Sequence, residues 1–225
     1  MNTSLLSCIH MLPLLTRPGI EIVDVTKCSS SERYLYKCLA PRPSRKYRRR
    51  SEYLQVAIPN GFHKKIILLR GDIVGQIEYA PADASGYPIS GEGIIVMNCI
   101  WVLRRAKGNN LGRLLLDDMI RSETRAAGFA TIGLEGHWSG WLRKDHMEWL
   151  GFRSIDSIDV AHRVKHARQR FRVHLMWLPR TPNARPPSWD KRKLLEGTTF
   201  CMAHPLYNPE GLHMKEILKG PLARP

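Results

Sequence analysis

A short basic turn between an apolar run and a leucine-rich run contains the residue types that most directly indicate chemistry. Glycine takes positive φ and lets a backbone approach a ligand closely, and asparagine tolerates the same conformation better than most residues. The first N–H groups of a helix have no partner within it, and the helix dipole adds positive charge there. These features predict a site for a phosphorylated ligand. The residues of the turn are Lys107, Gly108, Asn109, Asn110, Leu111 and Gly112.

Basic side chains surround this turn, at Arg104, Arg105 and Arg113. Two known phosphate-binding patterns do not fit it. A Walker loop needs Gly-Lys followed by Ser or Thr, and a dinucleotide fingerprint needs another glycine spacing and an acidic residue about 20 positions further on. A tight strand-to-helix turn without a ligand has the same composition. The turn alone therefore leaves both interpretations open.

The charge of the whole chain favours anionic partners. Its 225 residues include 35 Lys and Arg against 20 Asp and Glu, a formal net charge of +15. Such a field concentrates anions, so nucleic acid, an acidic membrane surface and a polyphosphate cofactor are compatible partners. No apolar run reaches the roughly 20 residues of a membrane span, and the N-terminal apolar run lacks a basic leader. We expect a cytoplasmic protein that does not insert into a membrane.

Metal and disulfide chemistry are not indicated. The cysteines include no Cys-x-x-Cys pair, and an odd number at wide spacing does not suggest a disulfide framework. Glu135, His137 and His146 match the spacing of no recognised metal site. We therefore predict no metal. The cysteines are Cys8, Cys28, Cys38, Cys99 and Cys201.

Hydrophobic periodicity predicts strands and helices around the turn. An apolar strand at 93–103 precedes it, and an amphipathic helix closed by Gly128 follows it. A second apolar strand at 130–136 should lie parallel to the first, joined through a right-handed crossover. The other predicted elements are strands at 20–25, 153–164 and 170–179, a hairpin at 64–81, and helices at 29–39, 44–58 and 139–150.

A basic block, Arg45 to Arg50, lies at the start of the predicted helix at 44–58. A functional block of this kind would bind an anionic partner such as nucleic acid. A solvated helix face has the same composition. The block leaves both interpretations open.

The predicted elements divide the chain into three parts. Residues 1–18 end at a Pro-Gly breaker and form an N-terminal extension. Residues 19–179 contain all the predicted strands and helices. Residues 180–225 are rich in proline and show no sustained periodicity, which indicates a C-terminal extension with only a few short elements.

The strand, turn and helix resemble the central motif of the GNAT superfamily of acetyl-CoA-dependent N-acetyltransferases. That motif is a strand ending in Val, then Arg/Gln-x-x-Gly-x-Gly/Ala and a leucine-rich helix. Val102 stands at the strand end, Lys107 in the Arg/Gln place, and Asn110 and Gly112 in the two glycine places. Downstream, Trp-Leu-Gly-Phe at 149–152 resembles the family's Tyr-x-x-x-Gly-Phe element, and the stretch at 135–152 resembles an uncharacterised prokaryotic subgroup of the family.

The resemblance extends over residues 20–179. It implies a mixed α/β (α+β) fold with a mostly antiparallel sheet of six or seven strands flanked by helices. It also implies acetyl-CoA as acyl donor and an amine as acceptor. The turn's N–H groups would hold the pyrophosphate, and the preceding strand would bind the pantetheine arm and polarise the thioester. The implied cofactor-binding residues are Ile100, Trp101, Val102, Lys107, Gly108, Asn109, Asn110, Leu111, Gly112 and Arg113.

One position departs from the family pattern. The family's tyrosine general acid falls at Met147, and a thioether cannot protonate a leaving thiolate. His146 and His137 are the candidate replacements whose ordinary pKa suits acid–base work. Further candidates are Cys99, Tyr79 and Glu78.

Two functions compete at this point. The first is an N-acyltransferase in which an amine directly attacks a backbone-polarised thioester. The second is a protein of the same fold that binds nucleic acid or CoA without transfer. The acceptor pocket would be built by residues 28–60 and 82–92, whose composition names no acceptor, although the positive charge favours an acidic one. A monomer and a dimer are both compatible with the sequence.

Overall fold

The computed structural model describes residues 18–27, 32–36, 48–163, 169–198, 200–201, 203–207 and 216–220. The predicted N-terminal extension lies almost entirely outside these residues, as does the start of the basic block. The described strands and helices, in chain order, are β1 (Ile20–Asp24), α1 (Glu32–Leu35), α2 (Arg48–Ala57), β2 (His63–Leu69), β3 (Asp72–Pro81), β4 (Ile89–Ser90), β5 (Ile94–Val102), α3 (Leu111–Ser122), β6 (Gly128–Glu135), α4 (Lys144–Trp149), β7 (Arg153–His162), β8 (Arg170–Pro179), β9 (Ser188–Trp189), α5 (Lys191–Glu196) and β10 (Leu218–Lys219).

Eight of these strands form one sheet in the order β1-β2-β3-β5-β6-β8-β7-β10, and β4 pairs with β9 separately. In the main sheet β5 and β6 run parallel, whereas the other neighbouring strands described are antiparallel. The predicted mixed, mostly antiparallel fold is confirmed. The predicted number of six or seven strands is wrong, because the main sheet has eight. The additional strand is β10, a two-residue strand in a proline-rich tail that produces no periodic signal.

The predicted hairpin at 64–81 is confirmed as β2 and β3. Arg70 and Gly71 join the two strands with φ of 53° and 83°. Two successive residues with positive φ make the turn whose twist matches paired antiparallel strands. Glycine at the second of them lowers the conformational cost of this turn.

Helix α3 ends earlier than the sequence indicates. The predicted closing residue, Gly128, is instead the first residue of β6, and the helix stops at Ser122. A Cβ atom at Gly128 would lie 2.1 Å from the Trp177 ring on β8. This glycine is therefore required for strand packing and not for capping a helix.

Helix α4 begins at Lys144 and not at Ser139, where the pattern predicts its start. Leu142, just before it, has a φ of 42°, outside the right-handed helical region. Its carbonyl accepts a hydrogen bond of 2.8 Å from the N–H of Leu134 in β6. The segment before α4 thus pairs with the edge of β6 that faces β5.

Arg50, the last residue of the basic block, is buried and not exposed. Its guanidinium binds both carboxylate oxygens of Glu78 at 2.8 and 3.2 Å, and it donates to the carbonyls of Leu35 at 2.7 Å and Phe200 at 3.1 Å. Lys64 Nζ lies 2.9 Å from the same carboxylate. Arg50 therefore joins α2, β3 and the C-terminal segment, and it does not form part of an anion-binding surface.

The chain after residue 179 contributes to the same hydrophobic core as the sheet. Leu194, Phe200, Leu206 and Leu218 are all buried in it. Asp190 precedes helix α5, and its carboxylate accepts the N–H groups of Arg192 and Lys193 and so caps the helix. Within the part of the chain that the structure describes, no helix is long and apolar enough to cross a membrane.

Candidate functional site

The turn after β5 has the backbone conformation that its sequence predicts. Gly108 has a φ of 86°, and Asn110 lies in the left-handed region at φ 56° and ψ 27°, immediately before α3. The amide of Asn109 braces the turn by donating to the carbonyl of Ala106 at 3.2 Å. Asn110 thus takes a left-handed conformation that glycine adopts most readily and that asparagine tolerates.

The space in front of the first turn of α3 is open. A Cβ atom built on Gly108 or on Gly112 would meet no atom within 4 Å. Lys107 is exposed beside this space. The guanidinium of Arg113 is directed along the helix, where it donates to Asp117 at 2.9 Å. A helix start with free approach and nearby cations has the features that suit an anionic ligand.

Strands β5 and β6 separate just below this turn. They pair only at 94–96 against 128–130. Met97 and Cys99 stand opposite consecutive residues of β3, so Asn98 is an extra residue in β5. Such a β-bulge bends its strand and increases its twist. The bend at Asn98 thus coincides with the opening of a gap between two parallel strands.

The backbone of the second half of β5 presents hydrogen-bonding groups to this gap. Leu103 N–H donates to the carbonyl of Val74 in β3 at 2.8 Å. Successive residues of a strand direct their backbone groups to opposite edges. The N–H and C=O groups of Ile100 and Val102 therefore point away from β3, toward the side where β6 diverges. Trp101 stacks on Trp141 with ring centroids 4.7 Å apart.

A cleft of about 570 Å³ opens at the carboxyl end of β6. Because β5 and β6 are parallel, the turn that follows β5 and the cleft that follows β6 lie at the same edge of the sheet. The side chains that line the cleft include the ring of Trp138, two basic groups and two acidic groups. Its lining residues are Leu134, Glu135, Gly136, His137, Trp138, Ser139, Gly140, Arg143, Lys144 and Asp145.

Comparison with known proteins gives only distant likenesses. No family model and no curated protein matches the sequence. The ribosomal-protein-S18-alanine N-acetyltransferase from Escherichia coli is 12% identical, with a TM-score of 0.48 over 73% of this chain and 97% of its own. A GNAT family acetyltransferase from Elizabethkingia anophelis with acetyl-CoA bound is 12% identical, with a TM-score of 0.44 over 72% and 99%. The ribosomal-protein-alanine N-acetyltransferase from Brucella melitensis is 18% identical, with a TM-score of 0.44 over 65% and 88%. These three are acetyltransferases.

The two candidate histidines are placed apart. His137 lines the cleft, and both of its ring nitrogens are engaged: Nδ1 accepts the N–H of Ser139 at 3.1 Å, and Nε2 lies 3.0 Å from Nε2 of His162. A neutral imidazole whose Nδ1 accepts must carry its proton on Nε2. His137 therefore donates to His162, and it has no lone pair directed at the cleft.

His146 lies on the exposed face of α4, beside the buried Met147. Partial burial of the ring lowers the pKa of His146, and the positive charges of Arg143 and Lys107 add to this effect against the opposing Asp145. The ring is therefore neutral at pH 7 and has the protonation state of a base.

The other three acid–base candidates are inside the protein. Burial raises the pKa of Cys99 and of Tyr79, so both stay protonated. Burial alone would also raise the pKa of Glu78, but Arg50 and Lys64 outweigh it and hold this pKa at about 2. Glu78 is thus a structural anion with both oxygens engaged.

The structure also shows polar sets that the sequence pattern does not indicate. Ser154 Oγ lies 2.8 Å from His174 Nδ1, and His174 Nε2 lies 3.3 Å from Glu135, which lines the cleft. A second set joins Tyr87 to His204, a histidine in the proline-rich tail. Their residues lie on different strands and loops, so no local spacing could reveal them. Among the described residues, no three His, Cys, Asp or Glu side chains are grouped to hold a metal ion.

Proposed function

We propose that this protein is an acetyl-CoA-dependent N-acetyltransferase in which an amine directly attacks the thioester. The observation that carries this proposal is the strand, turn and helix at 94–122. A left-handed Asn110 opens a helix with free space at Gly112, directly beside the gap between the diverging strands β5 and β6. This combination suits an elongated ligand with a phosphate group at one end.

The residues around the gap fit coenzyme A on two observations. The first is the open space at Gly112, which lets a pyrophosphate approach the N–H groups of 108–113. The second is the buried Nε1 of Trp101, which has no hydrogen-bond partner among the described residues. A buried donor without a partner is costly, so a ligand that accepts from it is stabilised. Lys107 and Arg113 add positive charge at the turn.

The strand at 100–102 orients the reacting group in this proposal. Its outward N–H groups hold the pantetheine arm and donate to the thioester oxygen, where negative charge develops. When bound, acetyl-CoA supplies a thioester whose C–S bond breaks as the C–N bond forms. Direct attack therefore requires a group that takes a proton from the amine.

We assign this proton transfer to His146 in preference to His137. The imidazole of His146 is neutral at pH 7, and the charge of Lys107 reaches it from the phosphate turn. The neutral imidazole of His146 acts as a base toward the attacking amine, and the imidazolium so formed returns the proton to the leaving thiolate. The net charge of +15 favours an acidic amine-bearing acceptor, including one linked to nucleic acid.

Titration calorimetry with acetyl-CoA, followed by thiol release with a panel of amines, tests the function. We expect acetyl-CoA to bind and at least one amine to increase thiol release. The absence of acetyl-CoA binding would overturn the proposal. Affinity for a polynucleotide that falls steeply with salt, without thioester cleavage, would favour the nucleic-acid-binding alternative.

We expect His146→Gln to lower kcat about 100-fold, because a positioned base typically contributes at least this much. The pH profile checks the role. Wild-type kcat should fall as His146 is protonated, at a pH below the ordinary value of 6.5, and the variant should lose this acid limb. His137→Gln, at the other candidate histidine, should change kcat little. If kcat fell in His137→Gln and not in His146→Gln, the base would be His137 and the assignment to His146 would be wrong.

A further inference from the structure

The backbone of Asn98, the extra residue of β5, is held by a buried chain of hydrogen bonds from the C-terminal segment. The hydroxyl of Tyr87 donates to the carbonyl of Asn98 at 3.3 Å. The same hydroxyl lies 2.6 Å from His204 Nε2. His204 Nδ1 accepts the N–H of Leu206 at 3.1 Å. Asn98, Tyr87 and His204 are all buried.

The direction of this chain follows from the tautomer of His204. Nδ1 accepts a backbone N–H, so the neutral ring carries its proton on Nε2 and donates it to Tyr87. The hydroxyl hydrogen of Tyr87 is then directed at the carbonyl of Asn98. Burial keeps the ring neutral, because it lowers the pKa of His204 to about 3. The hydrogen bonds therefore run in one direction, from His204 through Tyr87 to Asn98, throughout the physiological pH range.

Other side chains fix the same point of β5. The amide of Asn98 donates to the carbonyl of Ser85 and, at 3.1 Å, to the hydroxyl of Tyr53. From the opposite side, Thr131 Oγ1 donates to the carbonyl of Met97 at 2.8 Å. Side-chain groups thus replace the backbone hydrogen bonds that the strands lose where they separate. Such bonds set the direction of the backbone that follows.

We propose that Tyr87 and His204 are positioning residues for acyl transfer, which fix the backbone of the β5 bulge and so aim the following N–H groups at the thioester. This inference rests on the proposed function. It makes the C-terminal segment part of the acyl-transfer site, although His204 lies outside the region that resembles the family. The thioester meets only the backbone of 100–102, and the two side chains act through Asn98.

Tyr87→Phe is the most direct test. It keeps the ring, which packs edge-on against Phe200 at 5.3 Å, and removes only the hydroxyl. The primary readout needs no acceptor: the infrared carbonyl band of bound acetyl-CoA labelled with carbon-13 at the carbonyl. We expect a shift to lower frequency with the wild type and most of that shift to be lost with the variant, at a similar Kd. With an active amine, kcat should fall about 10- to 100-fold. This decrease does not exceed the one that follows removal of an oxyanion donor, because the donor itself remains.

Rescue at His204 separates positioning from stability. His204→Gln retains an N–H group that can donate to Tyr87 and should retain the band shift, whereas His204→Leu should lose it. Phe200→Leu removes the ring that packs against Tyr87 but no hydrogen bond between His204, Tyr87 and Asn98, so it should lower Tm but keep the shift.

The outcomes distinguish the inference from the function on which it rests. Both Tyr87→Phe and His204→Leu could keep the full band shift and the wild-type kcat and lower only Tm. That result would overturn the positioning role and leave the proposed function standing. The positioning role is equally overturned if Tyr87→Phe does not fold and folded His204→Leu keeps the shift. Failure of the wild type to bind acetyl-CoA would refute the proposed function, and the inference with it.

Discussion

We expect Gly112→Trp to weaken acetyl-CoA binding about 100-fold while the protein remains folded. A Cβ atom at this position meets no atom within 4 Å, and Gly112 is not among the glycines with positive φ. The fold therefore tolerates a side chain there. An indole would occupy the space through which a phosphate reaches the N–H groups of the first helical turn. Losing two charge-assisted hydrogen bonds of about 1.5 kcal/mol each corresponds to a roughly 100-fold weaker Kd.

Titration calorimetry gives this Kd, and thermal melting checks the fold. Arg121→Trp is the matched control, because it puts the same ring on the exposed side of α3, nine residues and about 14 Å further along the helix. It should leave Kd nearly unchanged. Unaltered binding in Gly112→Trp would show that the first turn of α3 is not the phosphate site, and the proposed function would lose its main support.

The second large effect concerns stability. We expect Glu78→Gln to lower the free energy of unfolding by about 3–5 kcal/mol, because removing one partner leaves buried charge without compensation. Arg50 and Lys64 both lie within 3.0 Å of its carboxylate, at 2.8 and 2.9 Å. All three side chains are buried. Urea denaturation measures the loss. Glu148→Gln, which breaks an exposed pair with Lys144 of the same 2.8 Å length, should cost less than about 1 kcal/mol.

The pH dependence of stability gives an independent check on Glu78. Its pKa is about 2 in the folded protein and has an ordinary value of 4.5. A lowered folded pKa means that the unfolded chain binds the proton more tightly, so this contribution is complete above pH 4.5 and is lost as pH falls toward 2. Wild-type stability should decline across this range. An equal decline in Glu78→Gln would contradict the assignment to this carboxylate.

Local features of the site could be predicted from sequence because local chemistry determines them. Asn110 takes the left-handed conformation because asparagine tolerates positive φ better than most residues. Arg70-Gly71 forms a hairpin turn because glycine adopts positive φ readily. The leucine stripe of α3 is buried because its spacing puts one apolar face on the sheet. The parallel pairing of β5 and β6 follows from the length of chain between them.

Other features depend on neighbours distant in the chain. Gly128 marks a helix end by pattern, but the Trp177 ring makes it a strand residue without a side chain. Arg50 belongs to a basic block by sequence, but Glu78, on a strand that follows α2, turns it into a buried ion pair. In both cases the neighbour is brought close by the sheet, which no periodicity of the local segment encodes.

The sequence by itself determined the left-handed turn at Asn110, most of the elements around it and the presence of a thioether, not an acid, at Met147. Only the tertiary structure decided which groups meet at the site. It separated His137 from His146, placed Asn98 as an extra residue where β5 and β6 diverge, and brought His204 to that residue's backbone through Tyr87. The physical reason is that hydrogen bonds and desolvation act between spatial neighbours, and the fold alone sets those neighbours when they lie far apart in the chain.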